Sequence, residues 1–465
     1  MKIRRIKTVT PVSVIVFLGS LSLILAYAAF NLGGTAPAEW DRCVVALGLL
    51  LLVYFRFTDK SNVAPFLEWW FLWPLVLLIG FIGLQLVPLP PSLLRIVSPT
   101  RLRLFESLPS VSPGGLWAPI SVFPYGTLAH LLRVTAYVVV FVITRELAWR
   151  TRRRRWLMVA PIVIIAAVEG LWGVLQYDPV AGSFAQGTYA NRNHFAGLLE
   201  LALPFAVVYP MMVIGTPRGR SGRPALTASL SIVSATLILL GIVLSTSRMA
   251  FVAALTSLFV VGTLGLGTRI SPRKRLITPG IVGILVIAGF FYLAPDVLIG
   301  RFAEVMAAPN DMTKDARAHL WSDTWHLAAD YPLVGCGLGT FEQAFVKYKT
   351  FAQQVTVDAV HNDYLQLLAE LGRIGLAIAG TAMAAVFLTA ARTGGRKVNP
   401  MTRFLGIACL GSLIAILIHS YTDFNLYIPA NAVVLAWIAG VVASLNFESP
   451  AALEIEHNPQ TIIPG

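Results

Sequence analysis

Three stretches of the sequence place polar and ionisable residues directly before a long apolar run. They are Asn191-Arg192-Asn193-His194, Ser245-Thr246-Ser247-Arg248, and the stretch from Asp358 to Asp363 that includes His361 and Asn362. If each apolar run is a helix, these residues lie at its N-terminus, where free N–H groups and a partial positive charge favour anions. Two of the three stretches also carry an arginine. Together they predict a site for a phosphate or diphosphate.

Arg248 and His361 are the strongest single candidates. Arg248 is either an interfacial arginine that reaches lipid headgroups or a guanidinium fork on a diphosphate. Other basic residues are scarce in the short loops that the topology predicted below places outside the membrane. This scarcity favours the interpretation of Arg248 as a ligand of a diphosphate. His361 is either a capping or core residue or a general base. We expect it in the first turn of a helix capped by Asp358, where a neutral imidazole can accept a proton from a sugar hydroxyl.

Weaker candidates flank these two. Arg192 and His194 are predicted on the donor side. Arg317, Trp321 and Trp325 have helical spacing. From the local sequence alone, an interpretation of Arg317 as a solvated residue or a salt-bridge partner of Asp315 or Asp323 is favoured over a functional one. A third group is predicted to bind the acceptor or its sugar, although a structural polar cluster is an equal alternative: Asn362, Asp363, Trp321, His419 and Asp423. No spacing of His, Cys, Asp and Glu indicates a metal site, so no metal or cofactor is expected.

Four charged residues fall within or at the edges of apolar runs: Arg133, Glu169, Glu200 and Glu370. Charge in such a position is costly unless it is paired. Internal ion pairs and a proton relay are both consistent with the pattern, and we predict the ion pairs.

The elements that must position these residues are membrane helices. The 465-residue chain is 56% hydrophobic and 13% charged, whereas a soluble domain is nearer a quarter charged. About twelve stretches approach the roughly 20 apolar residues that a spanning helix needs. They lie near 11–30, 43–57, 69–87, 126–144, 156–177, 194–214, 226–244, 249–267, 276–295, 364–390, 404–419 and 429–445. The predicted fold is therefore an all-α polytopic membrane protein.

Basic residues give the orientation. With the N-terminus in the cytoplasm, the inside segments hold 23 basic residues and the short outside loops hold 3. This bias explains the net charge of +13 without nucleic acid and predicts an N-in, C-in topology. Residues 1–295 are then expected to form nine spans with an irregular periplasmic segment at 88–125. Residues 296–360 form a periplasmic helical loop, 361–446 form spans ten to twelve, and 447–465 form a cytoplasmic tail.

Several longer stretches resemble the bacterial O-antigen ligase and O-antigen polymerase superfamily. They read STSRMAF, ANRNHFAGLLELALPF, HNDYLQLLAELGRIGL and LWSDTWHLAADYPLVGCGLGTF, with weaker support from LQLVPLPPSLLRIVSP and HSYTDFNLYIPANA. The resemblance covers about residues 80–445 and implies an O-antigen ligase-like domain at about 190–380. It also implies a GT-C-like architecture with about twelve spans and a large periplasmic loop.

The resemblance implies an inverting, metal-independent glycosyltransferase of the bacterial inner membrane. Its donor would be a glycan on undecaprenyl diphosphate, and its acceptor lipid A–core or a growing polysaccharide, in lipopolysaccharide or exopolysaccharide biosynthesis. The family's functional residues map onto Arg248, Arg317 and His361, with Arg301 as an alternative to Arg317 in the same loop. Ligase, polymerase and protein O-oligosaccharyltransferase remain open at this point. A lipid-linked glycan flippase and a non-catalytic scaffold are the rivals from other classes.

Overall fold

The computed structural model describes residues 11–58, 64–107, 117–214, 223–267, 279–284, 288, 312–351, 356–395 and 398–445. Within these ranges the regular structure is helical, with a single β-bridge between Leu89 and Ala118. The helices are α1 (Pro11–Phe30), α2 (Pro37–Phe57), α3 (Trp69–Leu86), α4 (Pro91–Val97), α5 (Pro99–Glu106), α6 (Pro124–Arg150), α7 (Ala160–Gln176), α8 (Arg192–Ile214), α9 (Arg223–Leu244), α10 (Arg248–Gly267), α11 (Met312–Asp330), α12 (Phe341–Phe345), α13 (Asp363–Gly395), α14 (Pro400–His419) and α15 (Pro429–Ala443).

Eight of the described helices are long and apolar enough to cross a membrane: α1, α3, α6, α8, α9, α10, α13 and α14. The apolar helices α7 and α15 are shorter. These helices confirm the predicted all-α polytopic fold. The number of twelve spans stays a prediction, because most of the stretch at 276–295 lies outside the described residues.

Helices α8 and α14 form the centre of the bundle. In the most apolar part of each of these two helices, 72% of the residues are buried inside the protein. Helix α8 packs against α7, α9, α10 and α14, so most of its surface is covered, and its sequence is apolar on every side. The close approach of α8 to the segment before α15 depends on Gly197, where a Cβ atom would lie 2.1 Å from Asn425 Oδ1.

A second layer of short helices covers one end of the bundle. The sequence predicts an irregular segment at 88–125, and this prediction is wrong for residues 91–106, which form α4 and α5. Each of these helices has a proline at its start, where the missing N–H costs no hydrogen bond. Helix α11 confirms the helical spacing of Arg317, Trp321 and Trp325.

Helix α13 is interrupted at Gly372, which has a φ of 64° and a ψ of −173°. The span predicted at 364–390 is continuous, so the sequence does not predict this break. A glycine-rich turn at 335–339 fills the gap: the N–H groups of Cys336 and Gly337 donate to the carbonyls of Ala369 and Glu370. In return, the N–H groups of Arg373 and Ile374 donate to the carbonyls of Pro332 and Leu333. The turn and the two residues Pro332 and Leu333 before it therefore replace hydrogen bonds that the helix lost.

The side chain of Gln85 in α3 holds the same turn in place through hydrogen bonds. It donates to the carbonyls of Val334 and Glu370 at 2.7 and 3.0 Å, and its Oε1 accepts from the Leu338 N–H at 3.0 Å. Gln85 is fully buried. All three of its polar contacts are thus made with buried backbone groups, of which the Glu370 carbonyl also accepts from the Gly337 N–H.

The buried carboxylates are satisfied mostly by hydrogen bonds to backbone N–H groups, so the prediction of internal ion pairs is wrong for two of the three. Glu370 accepts from the N–H groups of Gly339 and Phe341 and from the hydroxyl of Tyr427. Glu169 accepts from the backbone and side chain of Thr188.

Glu200 does form the predicted kind of pair, with His419 Nδ1 at 3.1 Å. Arg133 does not: among the described residues no carboxylate pairs with it, and its guanidinium approaches His130 Nε2 at 3.5 Å.

Candidate functional site

His361 lies immediately before α13 rather than in its first turn. Asn362 caps the helix, its Oδ1 accepting from the Leu365 N–H at 3.0 Å. The predicted cap, Asp358, is exposed and lies before this turn, so that prediction is wrong. His361 has a φ of 52°, in the left-handed region that residues other than glycine rarely adopt. Such strain persists only where the surrounding structure holds the backbone in place, and it is common at functional sites.

The surrounding contacts come from the connection between α14 and α15. The Asp363 N–H donates to the carbonyls of Ser420 and Asp423 at 2.9 and 3.2 Å. The Asp363 carboxylate accepts from the Leu426 N–H at 3.2 Å. The start of α13 and the 420–426 connection are therefore held together at several points.

Asp423 joins two histidines from distant parts of the chain. Its Oδ1 lies 3.2 Å from His194 Nε2 and 3.4 Å from His361 Nδ1. It also accepts from the Phe424 N–H at 2.9 Å. Burial alone would raise the pKa of Asp423, but the contacts with His194 and His361 hold that pKa well below its usual range. Asp423 is therefore a buried carboxylate that stays ionised beside His361.

The aromatic ring of Phe424 fixes both histidine rings. It meets His194 edge-on with a centroid distance of 4.5 Å and His361 edge-on at 4.9 Å. The His361 side chain remains 32% exposed, whereas that of Asp423 is 1% exposed. The Nδ1 of His361 lies beside this carboxylate, an arrangement in which Nε2 can accept a proton and the carboxylate can stabilise an imidazolium. At 3.4 Å the two atoms are farther apart than in an optimal hydrogen bond, and Nδ1 makes no hydrogen bond within the described part of the chain.

The beginnings of α8 and α10 meet beside this pair. Asn191 caps α8 by accepting from the Asn193 N–H at 2.8 Å. Arg192 donates to Thr246 Oγ1 at 3.1 Å, and its guanidinium lies 4.0 Å from the ring centroid of Phe184. Arg248 is the first residue of α10 and is partly buried. Thr246 contacts Arg192, and His194, two residues after Arg192, contacts Asp423, which also contacts His361. This series of contacts links the three polar stretches that the sequence analysis predicted at helix N-termini.

Helix α11 covers the same end. The Trp321 indole N–H donates to the Val360 carbonyl at 3.1 Å, one residue before His361. The Trp321 ring packs edge-on against Tyr421 at 5.7 Å. Arg317, one turn before Trp321, is exposed. Asp323, a predicted salt-bridge partner of Arg317, instead accepts from Thr350. Arg301 lies outside the described residues.

The residues predicted for the acceptor separate into two groups. Asn362 and Trp321 lie next to His361, through the cap and through Val360. Asp363 and His419 are 0% and 1% exposed and face the protein interior, where His419 pairs with Glu200. Asp423 contacts the imidazole of His361, and its role in binding the acceptor or its sugar stays a prediction.

Sequence reasoning missed Phe184 and Phe424, and it did not pair Asp423 with His361. The two residues of that pair are 62 positions apart, and no local pattern links them. A signal was nevertheless present, because Asp423 and Phe424 both lie within the stretch HSYTDFNLYIPANA that supported the family resemblance.

Comparison with known proteins adds an independent result. The family model described as O-antigen ligase matches residues 233–380, a range that begins in α9 and contains Arg248, Arg317 and His361. A search of curated proteins finds no match. The matched family consists of membrane enzymes of the glycosyltransferase-like ligase type. The apolar helices indicate a multi-pass membrane protein, and the match supports an O-antigen ligase or polymerase-like function. Residues 233–380, about a third of the chain, are thus similar to the O-antigen ligase family.

Proposed function

We propose that this protein transfers a glycan from undecaprenyl diphosphate to an acceptor hydroxyl, as an inverting glycosyltransferase that needs no metal. The observation that supports this most strongly is the pairing of His361 with the buried Asp423, beside the helix starts that carry Arg192 and Arg248. A base held by a carboxylate, next to cations at helix N-termini, suits attack on a carbon that carries an anionic leaving group.

In the proposed reaction, the acceptor hydroxyl gives its proton to His361 Nε2 while its oxygen attacks the anomeric carbon. The bond from that carbon to the diphosphate oxygen breaks on the opposite face, which inverts the configuration. The electron pair leaves with the undecaprenyl diphosphate, and the imidazolium afterwards releases its proton to solvent. Diphosphate is a good leaving group, so the site mainly has to position the reactants and stabilise charge.

Arg248 and Arg192 are the proposed contacts for the diphosphate. A guanidinium donates two parallel hydrogen bonds to phosphate oxygens, a geometry that a lysine does not reproduce. Arg192 is already oriented by Thr246 and Phe184. Arg317 and Trp321 are proposed to contact the glycan from the α11 side, with Asn362 nearest to His361.

We further propose that the site faces the periplasm, in an inner-membrane protein with both termini in the cytoplasm. The beginnings of α8, α10 and α13 and the end of α14 lie together, as the alternating topology requires. The distribution of basic residues assigns that end to the outside. The acceptor is either lipid A–core or a second lipid-linked glycan.

Reconstitution in liposomes with a lipid-linked oligosaccharide and candidate acceptors tests the proposal. His361→Ala and Arg248→Ala are expected to abolish product formation while both variants insert normally. His326→Ala, which removes an exposed histidine of α11, serves as the matched control. A ladder of products identifies a polymerase, and a single transfer to lipid A–core identifies a ligase. Near-normal transfer by His361→Ala would refute the assignment of the base.

A further inference from the structure

His194 is a buried histidine that has no part in the reaction proposed above. It lies in the first turn of α8, and its side chain is 7% exposed. Its Nε2 lies 3.2 Å from Oδ1 of Asp423. Both residues lie outside residues 233–380, the range that the family model matches. They are 229 positions apart, so this contact joins distant parts of the chain.

The carboxylate of Asp423 has two hydrogen-bond donors within the described part of the chain. The first is the N–H of Phe424, 2.9 Å from Oδ1, and the second is Nε2 of His194. The other carboxylate oxygen, Oδ2, makes no hydrogen bond there. Because an ionised carboxylate only accepts, Nε2 of His194 carries the proton of this bond. Asp423 is therefore held through one of its two oxygens.

The two donors differ in what they can hold. Phe424 is the next residue in the chain, so its N–H moves together with Asp423. His194 belongs to α8, the central helix of the bundle, and its ring meets the Phe424 ring edge-on at 4.5 Å. Its carbonyl also accepts from Asn431 Nδ2 at 2.9 Å. His194 is thus the donor that ties the carboxylate to a separate, well-packed helix.

The oxygen that His194 holds is the one beside His361. Nδ1 of His361 lies 3.4 Å from Oδ1 of Asp423 without a hydrogen bond. The attraction between an imidazolium and this carboxylate then depends on their distance and on the charge of the carboxylate. Rotation of the Asp423 side chain would change the distance, and protonation would remove the charge. The bond from His194 opposes both changes, since a donor to a carboxylate favours its charged form.

Other titratable residues also act electrostatically on this carboxylate. They are His361 before α13, Asp363 at the start of α13, His419 of α14 and Glu200 of α8. Burial and the two acidic residues disfavour the ionised form of Asp423, whereas His194, His361 and His419 favour it. Of these three histidines, His194 is the one that donates a hydrogen bond to Asp423 within the described residues.

We propose that His194 is a positioning residue whose Nε2–H group holds the Asp423 carboxylate in place beside His361. The inference rests on the proposed function and adds to it a residue that acts on the base through Asp423. The first turn of α8 then contributes to both halves of the site, because Arg192 in the same turn is a proposed contact of the diphosphate. His194 itself contacts neither the donor nor the acceptor.

The test is the liposome transfer reaction with two variants of His194. His194→Leu removes the N–H donor and keeps a side chain of similar size. His194→Gln is the matched control, because its amide nitrogen supplies an N–H donor near the position of Nε2. His194→Leu should lower kcat by about tenfold, as expected for one hydrogen bond to a charged group, with KM for the glycan donor within about threefold. His194→Gln should keep most of kcat.

The double variant with His194→Leu and Asp423→Asn tests the route of this effect. If His194 acts through Asp423, the double variant should have the kcat of Asp423→Asn alone, whereas independent losses would multiply. A raised KM with an unchanged kcat would make His194 a ligand of the glycan donor. That result, an unchanged kcat in His194→Leu, equal losses in the leucine and glutamine variants, or losses that multiply overturns the proposal.

A second readout needs no glycan. Although burial raises the pKa of Asp423, the hydrogen bond from His194 lowers it. That bond stabilises the folded protein at pH values above about 4, and its contribution is lost as the pH falls through the folded-state pKa. The melting temperature of His194→Leu should therefore fall less steeply below about pH 4 than that of His194→Gln. Parallel profiles of the two variants would contradict the proposed bond.

These measurements separate the inference from the proposed function. If His361→Ala transfers glycan normally, the assignment of the base is wrong, and the melting profiles still decide whether His194 holds Asp423. If His361→Ala abolishes transfer while folded His194→Leu transfers normally, only the inference about His194 is wrong. Size-exclusion chromatography establishes that each variant is folded, and His194→Gln provides the comparison if the leucine variant is not.

Discussion

Asp423→Asn is the change that most directly tests the pairing of Asp423 with His361. The substitution keeps the shape of the side chain and removes its charge. Two unit charges 3.4 Å apart attract by about 5 kcal/mol at an effective dielectric of about 20. The His361 side chain is 32% exposed, so solvent screening lowers this figure. Since each 1.36 kcal/mol of barrier is tenfold in rate, we expect kcat to fall by about 10²- to 10³-fold.

The assay is the liposome transfer reaction with the donor varied at saturating acceptor. Asp423 contacts the imidazoles of His194 and His361, whereas the proposed contacts of the diphosphate are the guanidinium groups of Arg192 and Arg248. We therefore expect kcat to fall while KM for the donor stays within about threefold. Asp323→Asn is the matched control, since Asp323 is also buried and accepts hydrogen bonds from the backbone and side chain of Thr350. A kcat for Asp423→Asn within about threefold of the unmodified protein would contradict the proposed role of this carboxylate.

Three further predictions concern the elements around this pair. Thr246→Ala removes a hydrogen-bond acceptor of Arg192. It should raise the KM for the donor by about tenfold, as expected for the loss of a hydrogen bond to a charged group, with little change in kcat. An unchanged KM would show that the orientation of Arg192 by Thr246 does not contribute to donor binding. Gly335→Ala should cost at least about 2 kcal/mol more in unfolding free energy than Gly182→Ala, because both have a φ near 70° but only at Gly335 would a Cβ lie 2.2 Å from the backbone of Glu370. Equal thermal shifts of the two variants would show that crowding is unimportant there. The lowered pKa of Asp423 stabilises the folded protein at pH values above about 4, and this contribution is lost as the pH falls through the folded-state pKa. The melting temperature of the unmodified protein should therefore fall more steeply below about pH 4 than that of Asp423→Asn, and parallel pH profiles would contradict this.

The sequence predicts the helices well because their signal is local. A run of apolar residues long enough to cross a bilayer is visible without any knowledge of its neighbours. The same holds for the polar helix starts, and the structure places those of α8 and α10 in contact through Arg192 and Thr246. For both features, a short window contained all the necessary information.

The features that the sequence did not predict depend on partners far along the chain. The ionised Asp423 faces His361 across 62 residues, and Glu370 is satisfied by backbone groups of the turn at 339–341. The break at Gly372 is stable only because Pro332 and Leu333 accept the released N–H groups. Composition and periodicity do not contain these pairings. The assumption that a buried carboxylate needs a cation failed for Glu169 and Glu370, since backbone N–H groups served instead.

The interrupted helix has a consequence for exchanging parts between relatives. The gap at Gly372 and the turn at 335–339 complete each other, so neither is a self-sufficient module. A chimera that imports the outer layer up to residue 362 alone would combine foreign residues 332–339 with the resident gap. It would lose the four backbone bonds that join residues 332–337 to residues 369–374. Grafts for changing acceptor choice should therefore be cut after residue 374, within the uninterrupted part of α13, so that both halves of the joint travel together.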